Sequence, residues 1–354
     1  MADFITSTHR KKWLLSIQEL VENCRAANQR AVEALQKYGA TRVECQPDGT
    51  LAYPGAPAQG DNGHRSLPEP LTLAEELVIR RFYEQKIQQV STAFSFPNKI
   101  QATAILYFKR FYQKWSVMEH DPKHIMLTCI YLSCKVEEFH VSADELGKGI
   151  QQDPQVVLKN ELTVLQGLDF ELIVYTPYRS VDGFIYDLEV TTSGKKVLLQ
   201  ELKLAAQFVV DSMMLTDVPL LFPPGQVALA ALRTANQEEP KVDFNRYLQN
   251  MPERQKQRHS HAELIHVLDS IDLLVKDAKQ PVESDVRRID RKLKYCRNPG
   301  LQDEGKGKRE RKEKQRHKRG SHDVQMVNAV DNHPLDLNEI HSVKRGQSEG
   351  DAML

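Results

Sequence analysis

The residue types that most often carry catalysis occur in this chain at spacings that do not support it. His120 and His124 lie four apart, as a helical metal pair would, but Pro122 stands between them where a helix would start. His259, His261 and His266 miss the i, i+4 interval altogether. The cysteines Cys24, Cys45, Cys129, Cys134 and Cys296 form no C-x-x-C pair, so neither a zinc ribbon nor a disulfide framework is expected. Gly147-Lys148-Gly149 lacks the glycine spacing and trailing hydroxyl residue of a phosphate loop. No Ser or Cys sits in a nucleophile-elbow sequence. The expectation is a chain that contributes no catalytic group, no metal site and no cofactor site.

Two charges carry a different chemistry. Lys135 stands near the end of the apolar segment Ile125 to Val136, between Leu132 and Phe139. Glu161 interrupts an apolar stripe, with Leu158 three before it and Leu165 four after. A charge held where core meets surface needs a partner, in this chain or another. Their opposite signs would let them pair across two helices. The plainer reading is two charges at the edge of a core.

The elements that would hold these residues are helical. The segment Ile125 to Val136 has no polar face, so 122–139 reads as the buried central helix of a bundle, with Pro122 in the first turn, where its missing N–H costs nothing. Around it, 72–93 opens with the capping box Thr72/Glu75. Residues 98–113 place Ile100, Ala104, Tyr107, Phe108 and Phe111 on one face. Residues 142–150 open with a second capping box, and 154–168 give a fifth helix. After Pro177 helices recur at 178–190, 196–215, 223–236, 242–250 and 258–279, with another at 282–297. Before the bundle, 7–38 reads as one amphipathic helix ended by Gly39. A Gly/Pro-rich stretch to residue 70 reads as a flexible linker.

The run YFKRFY…SVMEHDPKHIMLTC…CKVEEF, with NELTVLQGLDFELIVYTP at 160–177, resembles the cyclin box. The resemblance implies an all-α protein of two tandem five-helix cyclin folds with extra N- and C-terminal helices. Its parts would be an N-terminal helix (1–38), a linker (39–70), the first box (71–177), a second cyclin fold (178–280), a C-terminal helix (281–298) and a tail (299–354). It implies a regulatory subunit that binds and activates a cyclin-dependent kinase. In the family a Lys and a Glu at the positions of Lys135 and Glu161 flank the groove for the kinase's regulatory helix. Leu132, Val136, Phe139, Leu165 and Phe170 would line its apolar floor. The M-R-A-I-L substrate-docking patch is absent from 72–95, and no R-x-x-L occurs. Both absences fit a transcription-linked member. The implied setting is the CDK-activating kinase of TFIIH, with a RING-finger assembly factor as third partner. A cyclin-fold general transcription factor would carry a zinc ribbon and basic helix faces, and neither is present. A helical scaffold without a kinase is the other alternative.

Formal net charge is zero, yet Lys306, Lys308, Arg309, Arg311, Lys312, Lys314, Arg316, Lys318 and Arg319 crowd into 306–319 against two Glu. That run is +7, so the rest of the chain is −7. An acidic body argues against direct nucleic-acid binding. No aromatic interleaves the run, so base stacking is unsupported and nuclear import is the expected use. No apolar stretch suits a membrane span or a signal peptide, and a reducing compartment, the nucleus, is expected. Composition from 299 onward predicts disorder.

Overall fold

A computed structural model describes residues 3–53, 67–191, 196–254 and 260–298. The N-terminal stretch expected as one helix is two, α1 (Thr8–Lys12) and α2 (Ile17–Tyr38). Ser16 is the reason. Its hydroxyl accepts the Glu19 N–H at 3.2 Å, while its own N–H donates to the Glu19 carboxylate at 2.7 Å. This capping box competes with continuation of the preceding helix. The break takes Ile17 and Val21 off the buried face, while Trp13, Leu20, Ala27, Ala31, Ala34 and Leu35 stay on it. Gly39 ends α2 in the left-handed region at φ 75°, where a side chain would be strained.

The stretch expected as a flexible linker is partly ordered. β1 (Glu44–Cys45) pairs antiparallel with β2 (Leu51–Ala52). The hairpin is tied down at its base. Thr41 N–H donates to the Cys296 carbonyl at 3.1 Å and Val43 N–H to the Glu119 carbonyl at 3.1 Å. Small patches of Gly and Pro do not prevent docking when the backbone groups between them find partners. Residues 54–66 lie outside the described residues.

The first helical domain comprises α3 (Leu73–Ala93), α4 (Asn98–Lys114), α5 (Pro122–Val136), α6 (Ala143–Gly149), α7 (Pro154–Lys159) and α8 (Glu161–Gly167). The expected fifth helix is thus divided at Asn160, whose side-chain amide turns back to the Val156 carbonyl at 2.8 Å. Both capping boxes form as read, at Thr72/Glu75 and Ser142/Glu145. The enclosed position belongs to α4 as much as to α5: every residue from Ile100 to Gln113 is buried. Its polar side is covered rather than solvated. Lys109 is paired with Glu84 at 2.7 Å, both 2% exposed, and Arg110 lies beneath Trp13.

The second domain comprises α9 (Pro177–Thr191), α10 (Lys196–Met214), α11 (Val218–Leu221), α12 (Pro224–Glu238), α13 (Phe244–Arg254) and α14 (His261–Lys276). α12 is its central member, packed by α9, α10 and α14. Asp211 joins the domains, accepting from Gln101 at 2.9 Å and from Tyr178, while its carbonyl accepts from Gln88 at 2.7 Å. Finally α15 (Glu283–Arg297) returns to α3. Its Lys292 and Arg288 meet Glu75 at 2.9 and 3.0 Å.

Candidate functional site

The last turn of α5 and the first of α8 meet at one edge of the first domain. Lys135 and Glu161 form an ion pair there, with side chains 48% and 23% exposed. Opposite charges brought together from different helices are therefore arranged at the core edge. Both remain reachable from outside. The Lys135 ammonium also stands 5.3 Å from the centre of the Tyr131 ring, a cation–π contact. Tyr131 was not singled out from sequence, although its i, i+4 spacing to Lys135 on a helix was the available signal. Glu161 opens α8, where the helix dipole favours a carboxylate.

Three contacts fix the frame of this edge. Thr128 on α5 donates its hydroxyl to the Val157 carbonyl of α7 at 3.0 Å. Gly167 lets α8 approach α4, since a Cβ there would lie 2.4 Å from Phe111 Cδ2. On its other side, Gln166 of α8 donates to the Gly49 carbonyl of the hairpin at 2.9 Å. A Cβ added at Gly49 in the hairpin turn would meet Leu162 Cδ2 at 3.7 Å, so the turn runs close to the residue that follows Glu161.

The expected apolar floor is uneven. Leu132 is 3% exposed and belongs to the core, because it faces inward from α5. Val136, Phe139 and Leu165 are half-buried against that core, Phe139 packing edge-on to Phe96 at 5.5 Å. Phe170 stands 60% exposed. It follows Asp169, and both have positive φ, 51° and 58°, a strained placement for residues with side chains. The Asp169 carboxylate holds Lys12 of α1 and Lys114 of α4. Leu158, Leu162 and Ile173 are further large apolar side chains exposed in this segment; the sequence pattern counted Leu158 in the buried stripe around Glu161 and gave Leu162 and Ile173 no role. The basic run 306–319 lies outside the described residues.

His120 is buried between the edges of Phe111 and Trp115, and burial, with Arg297 and Arg30 nearby, pushes its pKa down to about 3. Among the described residues no three His, Cys, Asp or Glu gather as metal ligands would. Nor is any described helix long and apolar enough to cross a membrane.

Residues 69–173 match the family described as Cyclin, N-terminal domain, and residues 176–276 the Cyclin C-terminal domain. The chain is 51% identical over 300 residues to Cyclin-H1-1 of Arabidopsis thaliana, a match covering 84% of this chain and 89% of that one. A chain of the CAK complex from Chaetomium thermophilum shares the fold at 24% identity, with TM-score 0.68 over 91% of this chain and 98% of that one. A chain of the yeast TFIIK (Kin28/Ccl1/Tfb3) complex is 25% identical, with TM-score 0.58 over 77% of this chain and 100% of that one.

Proposed function

Because the chain belongs to the cyclin family, we propose that it is the regulatory subunit of a cyclin-dependent kinase, with the Lys135–Glu161 edge facing the kinase. The observation that carries this reading is the pair itself: two opposite charges from α5 and α8, joined at the core edge and still accessible. Such a pair can stay satisfied while offering an N–H and carboxylate oxygens to an incoming backbone. The half-buried Val136, Phe139 and Leu165 beside it give that backbone an apolar bed. In a kinase the helix that bears the ion-pair Glu must sit close to the nucleotide-binding Lys, and a partner that holds it there favours the active state. The chain acts by binding that state better than the inactive one.

The relatives support a setting in the CDK-activating kinase and TFIIH, since similar chains occur in a CAK and a TFIIK complex. The third subunit is then a RING-finger assembly factor, and the site of action is the nucleus. The catalytic groups in this reading belong to the kinase. The test is reconstitution with a purified cyclin-dependent kinase from such a complex. The wild-type chain should form a stable complex and raise phosphorylation of a substrate kinase's activation loop. Absence of both binding and activation would overturn the reading.

A further inference from the structure

The chain leaves α8 through two consecutive left-handed residues, Asp169 at φ 51° and Phe170 at φ 58°. Among the described residues, Ser95, Glu138 and Gln151 are the other non-glycines with positive φ. Each of these stands alone, directly after the cap of α3, α5 or α6, where a single left-handed residue closes the last turn. Asp169 fills the same role after Leu168, and the Phe170 N–H completes the closure by donating to the Leu165 carbonyl at 2.9 Å. An aspartate tolerates this conformation because its side chain is short and polar. Phe170 is the additional residue, and a bulky aromatic is ill suited to it. Such a conformation persists only where the surroundings hold it.

The surroundings grip this segment at several points. Asp169 Oδ2 takes both the Lys12 ammonium of α1 and the Lys114 ammonium of α4. Those ammonium groups in turn lie over the buried Trp13 ring, 5.6 and 5.3 Å from its centre. Further on, the Tyr107 hydroxyl donates to the Leu172 carbonyl at 2.5 Å, and the Tyr175 N–H donates to His9 Nδ1 at 3.0 Å. Between these anchors Phe170 and Ile173 stand 60% and 58% exposed. Core packing therefore does not explain why the chain passes through a strained turn to present them. Nor do half-exposed ion pairs of this kind contribute much stability. What the clamp supplies is a fixed direction for an exposed ring. That ring belongs to the residue bonded through its N–H to Leu165, one of the apolar side chains beside Lys135 and Glu161.

We propose that Asp169 is a positioning residue for kinase binding: clamped by Lys12 and Lys114, it holds the turn that presents Phe170 to the kinase. The inference rests on the reading that the α5–α8 edge faces the kinase. It makes α1 part of the binding device, acting through Asp169. An aromatic side chain fixed before the partner arrives is a preorganised anchor, because its ordering is completed on folding instead of on binding.

The test measures Kd of the full-length chain for a purified cyclin-dependent kinase from such a complex, with thermal midpoint read alongside. Asp169→Asn keeps the shape of the side chain and its tolerance of a left-handed backbone, and removes the charge that both lysines hold. It should leave the midpoint near that of the wild type and weaken Kd about three- to tenfold, the factor for ordering one freed side chain on binding. Phe170→Ala should weaken Kd further. In that background Asp169→Asn should add less than about twofold, because no ring is left to position. The double variant Lys12→Met/Lys114→Met keeps Asp169 and both apolar stems, and should reproduce the Asp169→Asn loss. It carries the test if Asp169→Asn does not fold. Wild-type binding by Asp169→Asn would overturn the proposal. Full additivity with Phe170→Ala would refute it too, since Asp169 would then act apart from that ring. A loss of affinity that tracks a fall in midpoint in both clamp variants would make the clamp structural only. Normal binding by Phe170→Ala beside weakened binding by Lys135→Ala would sink the proposal and leave the kinase-facing reading intact. Normal binding by Phe170→Ala, Lys135→Ala and Glu161→Ala alike would remove both.

Discussion

Lys135 at the end of α5 and Glu161 at the start of α8 are bonded to each other, although twenty-six residues separate them. Both side chains are partly exposed, so in the free chain the pair contributes little, of order 0–1 kcal/mol. Against a kinase the same pair is partly desolvated, and loss of one member strands the other. Lys135→Ala and Glu161→Ala should each keep wild-type melting behaviour and each lose about 2–5 kcal/mol of kinase binding. The double variant should lose less than the sum. The measurement is a double-mutant cycle of affinity and phosphorylation rate with the purified kinase. Single variants that bind and activate normally would remove the pair from the interface. Variants that unfold would make it structural.

Gly167→Ala tests how α8 is seated. Alanine raises helix propensity by up to ~1 kcal/mol. The added Cβ would lie 2.4 and 2.7 Å from two atoms of the Phe111 ring. That ring cannot yield, being fully buried between Tyr112 and His120. Overpacking wins, and the variant should lose about 1–3 kcal/mol net in denaturant unfolding. Kinase activation should fall with it, because α8 carries Glu161. A variant as stable as wild type would mean that α8 is free to shift.

Trp13→Ala tests the docking of the N-terminal α1–α2 segment. Truncation of a buried tryptophan costs about 3–5 kcal/mol where it packs. The loss here should be local, appearing as faster amide exchange over residues 10–35 and weaker kinase activation. Rapid exchange over the same residues in the wild-type complex would show that this segment is not docked.

Truncation after Asn298 tests the tail. The chain should keep its main unfolding transition, and nuclear accumulation should fail without the basic run. A truncated chain that enters the nucleus without its partners would place the import signal elsewhere.

The bundle itself was legible because its signals are local. Pro122 starts α5, Thr72/Glu75 and Ser142/Glu145 start α3 and α6, and the apolar periods set their lengths. Lys135 and Glu161 could be marked as charges out of place, since each interrupts an apolar stripe. Their contact rests on how α5 and α8 pack, which no local pattern encodes. The cover over the polar side of α4 is likewise long-range: Glu84, Trp13 and Cys24 come from distant segments to meet Lys109, Arg110 and Gln113. Leu132, expected on the groove floor, is buried in the chain alone, since a helix buried on most sides leaves few of its leucines at an edge. The break at Ser16 was readable: S-x-x-E marks a helix start even inside an amphipathic run.

His120 makes a pH-dependent contribution whose sign follows from its burial. Its folded pKa, about 3, lies below its unfolded value of 6.5. Above that unfolded value the ring is neutral in both states, and its burial contributes full stability. As pH falls from 6.5 toward 3, the unfolded chain takes up a proton that the folded chain refuses, so stability declines. The slope approaches ~1.4 kcal/mol per pH unit for one such group. His9 has the same sign, and buried carboxyls such as Glu76, raised by burial, have the opposite one. The total pH profile therefore does not isolate His120, but a difference does. His120→Gln should be less stable than wild type at neutral pH, because the ring packs between Phe111 and Trp115. Chemical denaturation from neutral pH to about pH 5 should then show that deficit shrinking, by up to ~1.4 kcal/mol per unit below the unfolded pKa. A deficit constant across that range would mean that His120 accepts its proton as readily in the folded chain as in the unfolded one.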